Sequence, residues 1–492
     1  MKRKITMPSM ALLILTALLA LLALSCDFLF DLGNIVTNED RLPELGENEF
    51  YAQNMSTNKY YKVKAEKLAI GKNCVIWVET GSGVSRETAE EFAYKYDNDI
   101  RNKILGAFGM DEFLDIESSI YFDDILHYAN YLAESPDDRK LTVLLLNIKD
   151  GYKDPKTDSY VAGYFFSGNF WSAGYNASGS ITFYSNARDM IYIDTYPGLS
   201  LKPDDTYATF AHELQHLINW VTAVQMGKRP MDTWIDEGLS SQAEHIYYGS
   251  HPTDKCEWFK KDPNKTLAQG NNFFAWGNRK ESPLAILDDY ATVYMFFRWL
   301  YLQADTGMQQ TIFREITTSN YYDHNIIANL AQRINPEWNS WEAVLRAWMV
   351  ANYFPKNAYG YKNDSFLQDE VVVPRNTSGT TIMLYPGEGV YSPIQNSYSP
   401  GLASGGNIRY VGVSSSALDL TAPYTGQVLL TFNANTDTTS SRETGSLTGR
   451  QASVSRMADS APEFAGPYAL DARDVLGRDQ FENLAVFSRD AK

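Results

Sequence analysis

The sequence predicts an α+β fold, with a mixed sheet in an N-terminal half, helices in the next, and a β-rich C-terminal domain. Three observations carry this. Between Tyr60 and about Thr195, short apolar runs rich in Val, Ile and Tyr alternate with a helix-period stretch. From residue 206 to about 355, apolar residues recur at helical spacing with few interruptions. After Val371 the composition turns to Gly, Ser, Thr and Asn, and the apolar runs become short and strand-like.

In the first half, Cys74–Glu79 reads as a strand and Arg86 to about Leu105 as a helix. Leu141–Ile148 is nearly continuous apolar, as a strand buried on both faces requires. Val161–Phe166 and Met190–Thr195 add two more strands. The second half opens with a helix for which Asp204, Asp205 or Thr206 can serve as N-cap, with an apolar stripe of Phe210, Leu214, Leu217, Ile218 and Val221. Gly227 and Pro230 stop it. Asp232 then caps a second helix running through Trp234 to about Tyr248, ended by Gly249 and packed through Ile235, Leu239 and Ala243. Leu284–Leu302, Met308–Ile316, Asn325–Ile334 and Trp341–Asn352 carry further helical stripes. Thr380–Tyr385, Asn407–Val413 and Gln427–Phe432 are the strands of the C-terminal domain, and Asn435–Ser460 is too polar to pack. The expected divisions are 1–26, a tether over 27–49, the α/β half over 50–205, the helical half over 206–370 and the β-rich domain over 371–492. No internal repeat and no glycine-rich phosphate loop is present in the sequence.

The chemistry concentrates in His212-Glu213-Leu214-Gln215-His216. Residues four apart on a helix share a face, so His212 and His216 can aim two imidazoles at one metal ion. Glu213 sits one residue round, within reach of a water on that ion without being a ligand. Histidine is scarce, with six in 492 residues, and two of the six fall in this motif. Twenty residues separate His216 from Glu237, enough for the helix to end, turn and bring a second helix alongside. Glu237 offers a third ligand and leaves a fourth position open, the arrangement of a catalytic zinc site. Asp236, adjacent to it, and Glu244, two turns on, remain alternatives for that ligand. Glu244 is also placed to accept a hydrogen bond from a ligand histidine.

His212 to His216 followed by Trp234-Ile235-Asp236-Glu237-Gly238-Leu239-Ser240-Ser241-Gln242-Ala243-Glu244 resembles the glutamate-zincins, and within them the hyicolysin family of bacterial zinc metallopeptidases. The strand-like Ser185–Thr195 before the motif and the aromatic Tyr290–Leu300 after it add to the likeness, which covers roughly residues 60–355. The Trp-x-x-Glu-Gly stretch with a Glu seven residues on is similar to the aminopeptidase branch of the same clan as well. The resemblance implies a zincin-like metallopeptidase fold and one catalytic Zn2+. It implies His212, His216 and Glu237 as metal ligands, since the ligand stands immediately before Gly238, and Glu213 as the catalytic base. An edge strand above the zinc would let an extended peptide add to the sheet; Ile181–Tyr184 and Met190–Ile193 are the candidates, with ordinary core strands as the favoured alternative for both. Tyr290 or Tyr294, then His245, His251 or His324, are the side chains that could stabilise an oxyanion.

The N-terminus has the form of an export signal. Lys2, Arg3 and Lys4 precede an apolar run from Ala11 to Leu24, at about 14 residues too short to span a bilayer. Ala23-Leu24-Ser25-Cys26 resembles a bacterial lipoprotein signal, with Cys26 as the lipidated residue, although Ala23 stands where Leu is usual. The expectation is an exported chain, either a cell-envelope lipoprotein touching the membrane only through that lipid, or a secreted protein. Cys74 and Cys256 remain, the first in a strand and the second in a loop, and no Cys-x-x-Cys pair suggests a thiolate site. The formal charge of −17, which loss of the three N-terminal cations moves to −20, excludes nucleic acid as a partner. Calcium has its one opening in the acidic Asp150–Asp158 loop, which lacks a recognisable calcium spacing.

The function expected is therefore zinc-dependent hydrolysis of protein or peptide substrates, as an endopeptidase. The competing readings are a non-catalytic surface lipoprotein or adhesin that kept the fold, and an aminopeptidase.

Overall fold

Strands in the computed structural model follow the apolar runs. The residues it describes are 42–109, 140–153, 160–170, 174–175, 181–186, 188–226, 228–261, 273–274, 276, 286–356, 359–370, 381–393, 406–413, 428–437, 443–446 and 469–471. The expected signal with Cys26, most of the tether, Gly227, residues 154–158 of the acidic loop and most of Asn435–Ser460 lie outside them. By internal contacts the chain divides into Leu42–Gly174 with Tyr184–Lys492, which holds the sheet, helices and site described below, and Met1–Arg41 with Tyr175–Phe183.

The strands are β1 (Glu49–Asn54), β2 (Lys59–Ile70), β3 (Cys74–Glu79), β4 (Leu141–Leu146), β5 (Tyr160–Phe165), β6 (Gly174–Tyr175), β7 (Ile181–Phe183) and β8 (Met190–Asp194). Then come β9 (Thr381–Leu384), β10 (Gly389–Pro393), β11 (Ile408–Val413), β12 (Val428–Asn433), β13 (Glu443–Ser446) and β14 (Ala469–Asp471). Seven of them form one mixed sheet in the order β1-β2-β3-β4-β8-β5-β14. β3, β4 and β8 are parallel, and β5 runs antiparallel to β8. Every residue of β4, β5 and β8 is buried, as expected of strands covered on both faces. β14 pairs in parallel with β5, setting Ala469 opposite Tyr160 and Leu470 opposite Val161.

Of the two segments considered as edge strands, Met190–Ile193 is instead the core strand that was its alternative reading. Met190–Ile193 is not an edge: β8 lies between β4 and β5 because its apolar residues must be covered on both sides. Ile181–Phe183 pairs with β6 in a two-stranded sheet of its own. In addition, Glu49 belongs to β1 and not to the tether, and β2 is a twelve-residue strand whose alternating polar residues gave no apolar run to read.

The helices begin with α1 (Arg86–Lys95), which passes through one π-helical turn at Tyr96–Ile100 into α2 (Arg101–Phe108). Phe92 and Tyr96 pack at 5.0 and 5.2 Å from the ring of Phe210, which joins this layer to the helix α3 (Pro203–Gln225). α4 (Thr233–Tyr248) follows, then α5 (Thr253–Lys261) and α6 (Ile286–Gln303). α5 is a further correction, since Cys256 was expected in a loop and lies buried on this short helix. Cys74 is also buried, and both cysteines are free thiols. The stretch Met308–Ile316, expected as one helix, is split into α7 (Thr306–Gln309) and α8 (Ile312–Thr317) at Gln310 and Thr311. α9 (Asn325–Ile334), α10 (Trp341–Tyr353) and α11 (Ser365–Glu370) complete the set. Among the described residues no helix is long and apolar enough to cross a membrane.

Beyond residue 380, β9 to β13 form two small antiparallel sheets, β10-β12-β11 and β13-β9, while β14 joins the seven-stranded sheet.

Candidate metal centre

α3 and α4 are held side by side by complementary apolar faces. Phe210, Leu214, Leu217, Ile218 and Val221 on α3 are at most 4% exposed, and Trp234, Ile235, Leu239 and Ala243 on α4 at most 1%. Trp234 anchors α4 within a cage of Phe273, Phe274, Phe296, Phe297 and Trp341, with ring centroids 5.0 to 6.0 Å away. Gly249 ends α4 in the left-handed conformation, at φ 67°, its N–H donating to the carbonyl of His245. With both helices fixed, polar side chains on their facing surfaces meet in a buried layer.

His212, His216 and Glu237 converge in that layer. One ligand atom from each lies within 4.8 Å of the others, and among the described residues this is the group able to hold a metal ion. Nε2 of His212 is 3.2 Å from Glu237 Oε2, and Nε2 of His216 is 3.4 Å from the same oxygen. The other ring nitrogens face acceptors. His212 Nδ1 lies 2.7 Å from Glu244 Oε1. His216 Nδ1 lies 2.9 Å from Asp236 Oδ1 and 3.0 Å from Ser240 Oγ. Ser240 donates its own proton to Gln215 Oε1 at 2.6 Å, so its oxygen accepts from the imidazole. With Nδ1–H donated to these acceptors, each Nε2 faces Glu237 and can offer its lone pair to a metal ion bound there.

Two imidazole lone pairs and a carboxylate oxygen at such distances repel one another unless a cation lies among them. The electrostatics agree. Burial opposes a charged His212, yet Glu237 and then Glu244 outweigh it and hold the imidazole well above its usual pKa. A field that favours a proton at this point favours a metal cation for the same reason. The donor set of two imidazole nitrogens and one carboxylate fits zinc.

The two histidines are supported differently. On the His216 side, the Asp236 carboxylate accepts from Asn219 Nδ2, and Asn219 and Gln215 exchange amide hydrogen bonds at 2.8 and 3.1 Å. Glu244 Oε2 instead lies 2.5 Å from the Lys255 ammonium of α5. Burial works against the Glu244 carboxylate, but Lys255 and then His212 keep its pKa below the usual range. Asp236 and Glu244, the two alternatives to Glu237, are thus hydrogen-bond partners of the histidines.

Glu213 is 2% exposed, and its Oε2 accepts from the backbone N–H of Phe165 at 2.9 Å. The strand against this carboxylate is β5, not either of the two expected. Glu213 and His212 line a cleft of about 360 Å³ together with Tyr160 and Ala162 of β5, Lys255 of α5 and Tyr290 of α6.

The structure separates the expected oxyanion donors. Tyr290 lines the cleft, its ring 6.2 Å from that of His212. Tyr294 is fully buried, and its hydroxyl meets His245 Nδ1 at 3.1 Å and His251 Nδ1 at 2.6 Å. His251 lines the cleft but holds Asp364 through Nε2 at 3.1 Å. His324 immediately precedes α9, with its ring 6.4 Å from Phe274. In the acidic loop, Asp150 uses its carboxylate on the backbone N–H groups of Tyr152 and Val161. Lys255 and Asn219 lie outside the motifs read from the sequence, and Gln215 and Ser240, although within them, were given no role there. The positions of Glu244, on the face of Glu237, and of Asp236, beside it, hinted at the layer around the ligands.

No family model matches the chain. The chain is similar to the neutral metalloprotease ShpI of Staphylococcus hyicus, 27% identical over 274 residues, which make up 54% of this chain and 53% of that protein. It thus spans about half the length of the curated relative it matches.

Proposed function

We propose that this protein is a zinc metallopeptidase that cleaves peptide bonds within chains, with Glu213 as its general base. The observation that carries the reading is the convergence of two imidazole Nε2 atoms on one oxygen of Glu237, at 3.2 and 3.4 Å, with one of the two histidines, His212, lining a cleft beside Glu213. The similarity over 274 residues to a protein named a neutral metalloprotease supports it.

His212, His216 and Glu237 would hold the ion. A zinc ion bound by such ligands acts as a Lewis acid, lowering the pKa of water to about 7 and polarising a carbonyl. The remaining work falls to the chain. Glu213, oriented by the Phe165 N–H, takes the proton of the attacking water and returns it to the leaving nitrogen. Tyr290 is placed on the cleft wall to donate to the developing oxyanion. Asp236 and Glu244 hold the two imidazoles in the tautomer that presents Nε2.

The proposal extends to the ends of the chain. Residues 1–26 direct export, Cys26 carries a lipid that attaches the protein to the membrane, and the β-rich residues 371–492 stabilise or space the catalytic part.

Cleavage of casein and of a mixed peptide library, with and without a zinc chelator, tests the activity. Chelator-sensitive cleavage is expected, and N-acetylated peptides should be cut as well as free ones. Cleavage that survives chelation excludes the metal mechanism, and cleavage confined to free N-termini makes the enzyme an aminopeptidase.

A further inference from the structure

We propose that Lys255 is a positioning residue of the metal centre, acting through Glu244 on His212. The inference rests on the reading of His212 as a ligand and goes beyond it, because Lys255 belongs to neither motif and lies on a different helix.

The geometry is a relay of short contacts. Lys255 Nζ is 2.5 Å from Glu244 Oε2, Glu244 Oε1 is 2.7 Å from His212 Nδ1, and His212 Nε2 is 3.2 Å from Glu237 Oε2. Lysine on a cleft wall ordinarily keeps its ammonium in water. Here both side chains of the pair are 11% exposed. Lys255 has a second carboxylate within range, Asp254, but at 4.0 Å and 64% exposed it competes poorly with Glu244. The ammonium of Lys255 also lies over Tyr290, with Nζ 5.9 Å from the ring centre.

A carboxylate taken from water is costly to ionise alone, and Glu244 must be ionised to take the Nδ1 proton of His212 with full strength. Lys255 supplies the compensating charge. It also fixes which oxygen of Glu244 remains for the imidazole. On the His216 side, Asp236 accepts from the amide of Asn219. On the cleft side, an ion pair of Glu244 and Lys255 thus backs His212.

The test is a competition titration of zinc against a chromophoric chelator, using the full chain and the variants Lys255→Met, Lys255→Arg, Glu244→Gln and Lys255→Met with Glu244→Gln. Lys255→Met is expected to weaken zinc by roughly 10- to 100-fold, the range for loss of a group that orients a ligand. Lys255→Arg, which keeps a cation at Glu244, should recover most of that loss, a rescue that a purely space-filling role would not show. On the Glu244→Gln background Lys255→Met should add nothing further, since both act along one path. Should Lys255→Met fail to fold, Lys255→Gln takes its place and is expected to shift affinity in the same direction. A folded Lys255→Met or Lys255→Gln chain with wild-type affinity overturns the inference alone, as does a double variant whose losses sum. A wild-type chain that takes up no zinc overturns the metal-site reading and the inference with it.

Discussion

Gly238 lies directly beneath the ring of Phe297: a Cβ built on Gly238 would stand 2.2 Å from Cε2 and 2.3 Å from Cδ2 of that ring. The residue after the third candidate ligand is thus a contact point between α4 and α6, and its lack of a side chain sets how closely the two helices approach. In an exposed helix, Gly→Ala would stabilise by about 1 kcal/mol. Here overpacking wins, because Phe297 is itself fully buried beside Trp234 and Phe296. Gly238→Ala should cost about 1–3 kcal/mol in urea unfolding and weaken zinc binding by displacing Glu237. A variant as stable as wild type would show that Phe297 can move aside.

Glu213→Gln separates binding from chemistry. The amide keeps an oxygen for the Phe165 N–H, so the fold and zinc content should be unchanged. Turnover should fall by roughly 10²- to 10⁴-fold, the usual contribution of a positioned base. Substantial activity in this variant would assign the proton transfer to another group.

The three carboxylates around the histidines should differ in rank. Glu237→Ala removes the oxygen on which both Nε2 atoms converge and should abolish zinc binding. Asp236→Ala and Glu244→Ala remove only hydrogen-bond acceptors and should weaken zinc by roughly 10- to 100-fold. Metal titration of the three side by side decides this, and a total loss with Asp236→Ala alongside a mild effect of Glu237→Ala would exchange their roles.

His245 makes stability depend on pH. Burial, then the neighbouring Arg298 and His251, depress its pKa to about 3. Between pH 6.5, the ordinary value, and about 3, the unfolded chain binds a proton here that the folded chain refuses. The stabilisation is complete above about pH 6.5 and is lost as pH falls through that window. In urea unfolding at pH 7 and pH 5, His245→Gln should lose less on acidification than wild type, by on the order of 1 kcal/mol. Equal losses in the two proteins would remove His245 from the acid response.

What the sequence disclosed follows from how local each signal is. The His212–His216 pair, the stripe from Phe210 to Val221 and the stop at Gly249 are set by neighbours within one or two turns, and all appear where expected on α3 and α4. The position of β8 beside β5 depends on pairing across distant segments, so the sequence left Met190–Ile193 open between an edge and a core strand. Lys255 was invisible because α5 is nine residues long and mostly polar, with no stripe to separate it from a loop. Tyr290 and Tyr294 could not be told apart, since α6 is apolar nearly all round and its periodicity does not say which face meets the cleft.

The most direct test of the central claim is the zinc stoichiometry of purified protein, measured by equilibrium dialysis for wild type, His216→Ala and Glu237→Ala. Wild type should bind one zinc ion per chain, and each variant should lose it while keeping the wild-type circular dichroism spectrum. Zinc bound equally by all three proteins, or by none, would contradict the site.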